Sequence, residues 1–284
     1  MPNALSFKIL EDIARDLSSG EVSFPTFLDI TFQIQSALEK EDLSVEQLAK
    51  LVGADPLMGV KIIRMANSVA FNPSGREVAD VRSAILRVGM EAVRTASFAV
   101  AMEQLLQSGP MQAGIFRDIS GRLWEHSAHV AALCRVLAGR LTGINEDEAM
   151  FAGLVHDLGV FYLMSRAAHF SELASDRGEL HALLVGWHDN IGHALLNALG
   201  QPGAVLAAVL EHENDREIQT VASLSDVLYI ANKIANRTSG WRIPELSVPV
   251  DTAILDQLFD SGTLQEMIRE SEGEVLSLKA ALGG

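Results

Sequence analysis

The sequence predicts an all-α protein, and three observations carry that expectation. Apolar residues recur at intervals of three and four along most of the chain, the spacing that lines one face of a helix. No segment of the first 108 residues alternates with a period of two over the length of a strand. Residues that start and stop helices punctuate the periodic stretches.

Taken in order, Leu5, Ile9, Ile13 and Leu17 give a short amphipathic helix within residues 1–20, ended by Ser18-Ser19-Gly20. Pro25 stands near the start of a second helix, striped by Phe27, Ile30, Ile34 and Leu38. Ser44 and Gln47 fit a capping box, in which each side chain satisfies an amide that the first turn leaves open, and Gly53 closes that helix. Asp55-Pro56 opens the next, PLMGVKIIRMANSVAFN, with an N-cap followed by a proline at the first helical position. Its apolar positions are Val60, Ile63, Met65 and Ala66, and Ala66-Asn67-Ser68 reads as its polar end. Asn72-Pro73-Ser74-Gly75 is a turn. Residues 78–106 read as two helices broken near Gly89, and Gln107-Ser108-Gly109-Pro110 is the clearest break in the chain.

Beyond it, Leu123, His126, Val130, Leu133, Leu137 and Leu141 form a stripe that places His126 on the buried face of its helix. Asn145 with Glu148 caps the helix that runs through His156. After an irregular stretch at 167–177, helices are expected from about His188 to Leu199, from Pro202 to His212 and from Ala222 to Arg237. Pro244 and Pro249 mark a loop. Leu264, Ile268, Ser271, Val275, Leu278 and Leu282 step alternately by four and three, giving a last helix docked on the core, with homodimerisation as the competing use of that face. The expected division is a helical subdomain over 1–108, a helical bundle over 109–240 and a helical extension over 241–284.

Composition narrows the function. The chain of 284 residues is 48% hydrophobic and 21% charged, the balance of a globular protein with a sizeable core. Its net charge of −15, with no basic run, argues against a nucleic-acid surface, because phosphate contacts need clustered Lys and Arg. The single cysteine, Cys134, excludes an internal disulfide and fits a reducing compartment; its stripe position reads as core rather than as a catalytic thiol. No apolar run approaches the ~18 residues of a membrane span, so no membrane and a cytoplasmic location are expected. No G-x-G-x-x-G or Walker pattern supports a phosphate loop. Trp124 reads as a packing residue, His129 as either a partner of His126 or a solvent residue, and His169, His181 and His193 as surface or capping residues.

The pair His156-Asp157 stands in an otherwise apolar stretch. Charged groups are rarely buried without partners, so the pair is either a metal-ligand pair or part of a buried hydrogen-bond network. His126, His188, His212 and Asn232 each lie on a separate expected helix. Imidazoles and carboxylates converging from several helices can hold a divalent transition metal (Fe, Mn, Ni or Zn) in a bundle interior. For any one of these histidines alone, a hydrogen-bonded core residue is the competing reading.

The blocks LWEHS, AGLVHDLG, GWHDNIGHALL, LEHEN and LYIANKIA, in that order, resemble the HD superfamily of helical metal-dependent phosphohydrolases. Together with DPLMGVKIIRMANSVAFN and DVRSAILRVGMEAVR, they resemble its HDOD branch, the HD-related output domains of bacterial signalling proteins, over roughly residues 24–237. The resemblance implies an HD-type bundle in which His126, His156 and Asp157 occupy three metal-ligand positions. Asn232 stands at the fourth, where an aspartate is usual, and Asp226 lies nearly two turns away. His188 and His212 match histidines of the two-metal members, but Glu213 stands where those carry a second histidine. The Gly-Tyr-Pro signature of cyclic-di-GMP phosphodiesterases is absent, since Val160-Phe161 follows Gly159. A neutral amide leaves the site one negative charge short of what would hold a cation firmly enough to acidify a bound water. The resemblance therefore implies a regulatory module that works through signalling partners or a small ligand, with a metal-dependent phosphohydrolase acting on a nucleotide as the alternative. A purely structural histidine cluster is the third reading.

Overall fold

Side-chain caps at Ser44, Asp55 and Asp80 start three helices of the N-terminal half. The structure, a computed structural model, describes residues 4–19, 29–40, 42–68, 71–112, 114–238 and 252–282. Helices α1 (Ala4–Ser19) and α2 (Asp29–Leu38) precede α3 (Val45–Ala54), whose capping box is complete: Ser44 Oγ accepts from the Gln47 amide and Gln47 Oε1 accepts from the Ser44 amide at 2.8 Å. In α4 (Pro56–Asn67), Asp55 Oδ1 accepts from the amides of Leu57 and Met58 at 2.8 and 3.2 Å, and Pro56 opens the helix. Asp55→Ala is expected to lower stability by about 1 kcal/mol, read as a shifted urea midpoint at unchanged helicity. Asn67 marks the polar helix end and also exchanges two hydrogen bonds with the backbone of Val78, pinning the loop beyond Gly75.

Helix α5 (Val81–Val88) meets α6 (Met90–Leu106) at Gly89, whose φ of +86° suits a residue without a Cβ. Every residue of α6 from Ala92 to Met102 is buried, so this helix has no solvent face and runs through the interior. It packs on α2, α4 and α5, and also on α8 (Glu146–Val155) and α9 (Leu158–Ala167). A polar seam crosses the interior beside it. Gln35 on α2 donates to Ser97 Oγ at 2.9 Å, and the Arg94 guanidinium reaches Gln35 and Gln201, at 3.5 and 3.4 Å.

The second half is built on the 28-residue α7 (Gly114–Leu141), which follows a 3-10 turn at Gly109–Gln112. Helix α8 lies along α7. After α9 come the short α10 (Ser171–Ser175), α11 (Arg177–Ala198), α12 (Gly203–Glu211) and α13 (Leu224–Arg237). Helix α14 (Ala253–Leu258) leads to α15 (Ser261–Leu282), which docks on α7 and α4 through Leu264, Met267, Ser271 and Val275. Arg140 of α7 ties it down with ion pairs to Glu266 and Glu270. No strand occurs among the described residues, and none of their helices is long and apolar enough to cross a membrane.

Several sequence expectations shift. On α4, Val60 is 54% exposed and Ile62 fully buried, because the inward face is fixed by Gly59 against Val81 and by the ion pair of Lys61 with Glu103 on α6. Gly53 lies inside α3, which Asp55 ends, and α4 stops at Asn67 rather than near Asn72. Helix α11 starts some ten residues earlier than expected, at an Asp176 side chain that accepts from the Glu179 amide. Cys134 is buried, and burial pushes its thiol far up, as a core residue requires. His129 is buried too, so it is not a solvent residue. Pro25, Phe27, Pro244, Pro249 and the side chains of Leu278 and Leu282 lie outside the described residues.

Candidate metal centre

The pair His156-Asp157 interrupts a helix instead of lying inside one. Helix α8 ends at Val155, α9 begins at Leu158, and Asp157 takes a bridging backbone conformation (φ −97°, ψ 18°) between them. The break turns both side chains the same way, toward α7, α11 and the end of α12.

Two glycines set how close those helices come. A Cβ on Gly153 would sit 2.6 Å from the Cα of Ala131, so only glycine lets α8 lie against α7 and bring His156 to His126. A Cβ on Gly159 would collide with the carbonyl oxygen of His188 and lie 2.7 Å from the Gly192 nitrogen. That contact presses the start of α9 onto α11 and sets Asp157 against His188.

The result is a cluster of four histidines around one carboxylate. His126, His156, His188 and His212 are each at most 4% exposed and Asp157 5%. Asp157 Oδ2 lies 3.2 Å from His156 Nε2 and 3.9 Å from His126 Nε2. Its other oxygen, Oδ1, lies 4.0 Å from His188 Nε2 and 3.8 Å from His212 Nε2. Each oxygen thus faces its own pair of imidazoles.

Three of these rings are oriented by backbone carbonyls one turn back. The Nδ1 atoms of His156, His188 and His212 lie 2.8, 3.0 and 2.7 Å from the carbonyl oxygens of Gly153, Leu184 and Val209. A carbonyl only accepts, so Nδ1 carries the hydrogen and, in the neutral ring, Nε2 presents a lone pair toward Asp157. The Nε2 atoms of His156 and His212 are buried without a hydrogen-bond partner. Buried polar atoms are normally satisfied, and a lone pair left open toward a carboxylate is the arrangement a cation completes. The donors are imidazole nitrogens and carboxylate oxygens within 4.8 Å of one another, a set suited to a first-row divalent ion.

Electrostatics agree. Burial alone would raise the Asp157 carboxyl, but the imidazoles of His156, His126 and His188 hold it well below the usual carboxylate range. Burial, aided by His156, pushes His212 down to about 3, so its ring is neutral. His156 is drawn upward by Asp157 against the cost of burial, which makes the space between them one that a proton or a metal ion can hold.

All the residues named from the sequence assemble here, with distinct surroundings. Asn232 on α13 lines the cavity, but its Oδ1 already accepts from Asn236 at 2.9 Å. Asp226 is remote in function: it closes a capping box with Ser223 at the start of α13. Glu213, a third of its side chain exposed, stands at the mouth with Oε1 3.7 Å from His188 Nε2. Sequence reasoning missed Asp189. Its Oδ1 lies 3.0 Å from His188 Nε2 and 3.4 Å from His212 Nδ1, and burial raises its carboxyl. The signal was present, since His188-Asp189 is a second adjacent His-Asp pair. The cavity enclosed by His126, Asp157, Val160, His188, Glu213 and Asn232 measures about 30 Å³.

Comparison with known proteins gives the family and the fold. A family model described as HDOD domain matches residues 24–215. Ribonuclease Y of Geobacter metallireducens is 31% identical over 123 residues, covering 43% of this chain and 20% of that protein. The chain spans about a third or less of the length of the curated relatives it matches. A crystal structure from Shewanella amazonensis, provisionally named a metal-dependent phosphohydrolase, superposes with a TM-score of 0.66 over 95% of this chain and 99% of that one, at 21% identity. Another from Marinobacter aquaeolei, provisionally named a signal transduction protein, gives 0.66 over 99% and 66%, at 17% identity. At these identities the likeness shows a shared fold.

Proposed function

The chain belongs to the HDOD domain family, and on that footing we propose that it is a signalling module whose histidine cluster holds a divalent cation without hydrolysing a nucleotide. One observation carries the reading: the oriented Nε2 atoms of His156, His188 and His212 converge on the two oxygens of Asp157, which with His126 and His188 also lines a cavity of about 30 Å³. That volume suits an ion and a water or two, whereas sites for small organic ligands run to ~300 Å³ and more. His126, His156, Asp157, His188 and His212 would hold the cation, whose chemistry when bound is that of a Lewis acid. Asp157 supplies the charge. The imidazoles fix direction, and the backbone carbonyls behind them keep the rings from turning away. With Asn232 neutral and engaged by Asn236, no second carboxylate faces His126 and His156 among the described residues. The net charge of −15 disfavours RNA, the substrate named in Ribonuclease Y, as a partner here. The cation would then act as a clamp that joins α7, the α8–α9 junction, α11 and α12, and partner proteins would read that clamped state.

The test is a turnover screen with phosphodiesters, phosphomonoesters and cyclic dinucleotides in the presence of Mn, Fe or Mg. Wild type is expected to turn over none of them faster than Asp157→Asn. Turnover that Asp157→Asn removes would establish the phosphohydrolase alternative instead.

A further inference from the structure

We infer that α15 is a displaceable strap, and that the groove it fills between α4 and α7 is the docking site for an acidic amphipathic helix of a partner protein. The inference does not depend on the cation. Helix α15 lies outside residues 24–215, the part matched by the family model, yet it packs on both α4 and α7 and so bridges the two halves of the chain. Its contact face is narrow. Leu264, Met267, Ser271 and Val275 are buried, at intervals of three, four and four. Ser271 stands at the centre of that face with its hydroxyl turned back to the Ile268 carbonyl at 2.7 Å. The buried apolar anchors among the described side chains of α15 are therefore Leu264, Met267 and Val275, whereas α7 buries residues along most of its length.

A row of carboxylates flanks the anchors. Glu266, Glu270 and Glu274 recur every fourth residue, which aligns them along one side of the helix. Arg140 of α7 pairs with Glu266 at 3.2 Å and with Glu270 at 2.7 Å, and Arg135 lies 3.8 Å from Glu274. The order reverses between the two helices, so α15 runs antiparallel to α7 with its acidic row along the two arginines. The Arg140 pairs are partly exposed, where ion pairs give attraction and register but little stability. Asp260 starts the helix independently of α7: its Oδ1 accepts from the amides of Gly262 and Thr263 at 2.9 and 3.0 Å. A helix with its own cap, few anchors and solvent-facing ion pairs opens as a unit. The groove it leaves selects a replacement by the same pattern, apolar anchors beside a row of carboxylates that meets Arg135 and Arg140.

The experiment titrates a fluorescent synthetic peptide of residues 261–282 with the full chain and follows its anisotropy. Leu264→Asp with Met267→Asp, which releases the tethered helix, is expected to bind the peptide about 100-fold or more tightly than wild type, because a tethered competitor acts at high effective concentration. Arg135→Glu with Arg140→Glu, added to that variant, is expected to weaken the peptide about 10-fold or more through like-charge repulsion. In wild type, the amides of α15 are expected to exchange with solvent about 10-fold or more faster than those of α7. Peptide binding that is absent from both proteins, equal in both, or insensitive to the arginine reversals would overturn the inference. So would a released variant that unfolds, or α15 amides that exchange no faster than those of α7, since either makes α15 part of the core. A wild type that is dimeric by light scattering and turns monomeric in the released variant would make a second copy the occupant and overturn the partner assignment.

Discussion

Gly159→Ala is expected to cost several kcal/mol of stability, on the order of 3–5, and to leave little folded protein at 37 °C. The methyl group would run into the carbonyl oxygen of His188 and lie 2.7 Å from the Gly192 nitrogen. Both obstacles are backbone, so no rotamer change relieves them, and α9 must move off α11. Overpacking of that kind is costly because interiors are already close-packed. Gly186 on the same helix α11 supplies the control, since a Cβ there meets nothing within 4 Å. Gly186→Ala is expected to raise stability by about 0.5–1 kcal/mol through helix propensity alone. Urea unfolding of the two variants decides the matter. A Gly159→Ala midpoint equal to wild type would show that the close approach of α9 and α11 is not what seats Asp157.

The second large effect is on heat stability in the presence of a cation. A ligand that binds only the folded chain adds about 2.7 kcal/mol at 100 times its dissociation constant. For a chain of this size that is roughly 5–10 °C in Tm. Mn²⁺ should produce such a shift, a chelator should reverse it, and Asp157→Asn should abolish it, because Asp157 faces all four imidazoles. An equal shift in wild type and Asp157→Asn would mean that Mn²⁺ acts elsewhere on this acidic surface.

Much of the fold was legible from the sequence. The box at Ser44 and Gln47, the Asp55-Pro56 start and the break at Gly89 all stand where local chemistry put them, because caps and glycines act within one turn. The register of α4 was not legible: Val60 and Ile62 are equally apolar, and which faces inward depends on α5 and α6. The break at His156-Asp157 was hidden because Val155 and Leu158 continue the apolar run on both sides. For the site, His126, the His156-Asp157 pair, His188 and His212 did converge from distant parts of the chain, since ionisable groups on apolar faces have few other ways to be buried. Asp189 escaped notice because an aspartate in a helix is usually a solvated one, and only the fold turns it toward His188 and His212. The tautomers of the rings depend on backbone carbonyls one turn back, those of Gly153 and Val209 near helix ends and that of Leu184 inside α11, which no residue pattern encodes. Nor does any pattern distinguish Gly153 and Gly159, which set helix crossings, from Gly186, which does not.

The most direct test is an anomalous-scattering measurement on crystals grown or soaked with Mn²⁺. A peak within bonding distance of the Asp157 carboxylate, ringed by the Nε2 atoms of the surrounding histidines, is the predicted result. Saturating Mn²⁺ with no peak at Asp157, and the histidines hydrogen-bonded among themselves or to water, would contradict it.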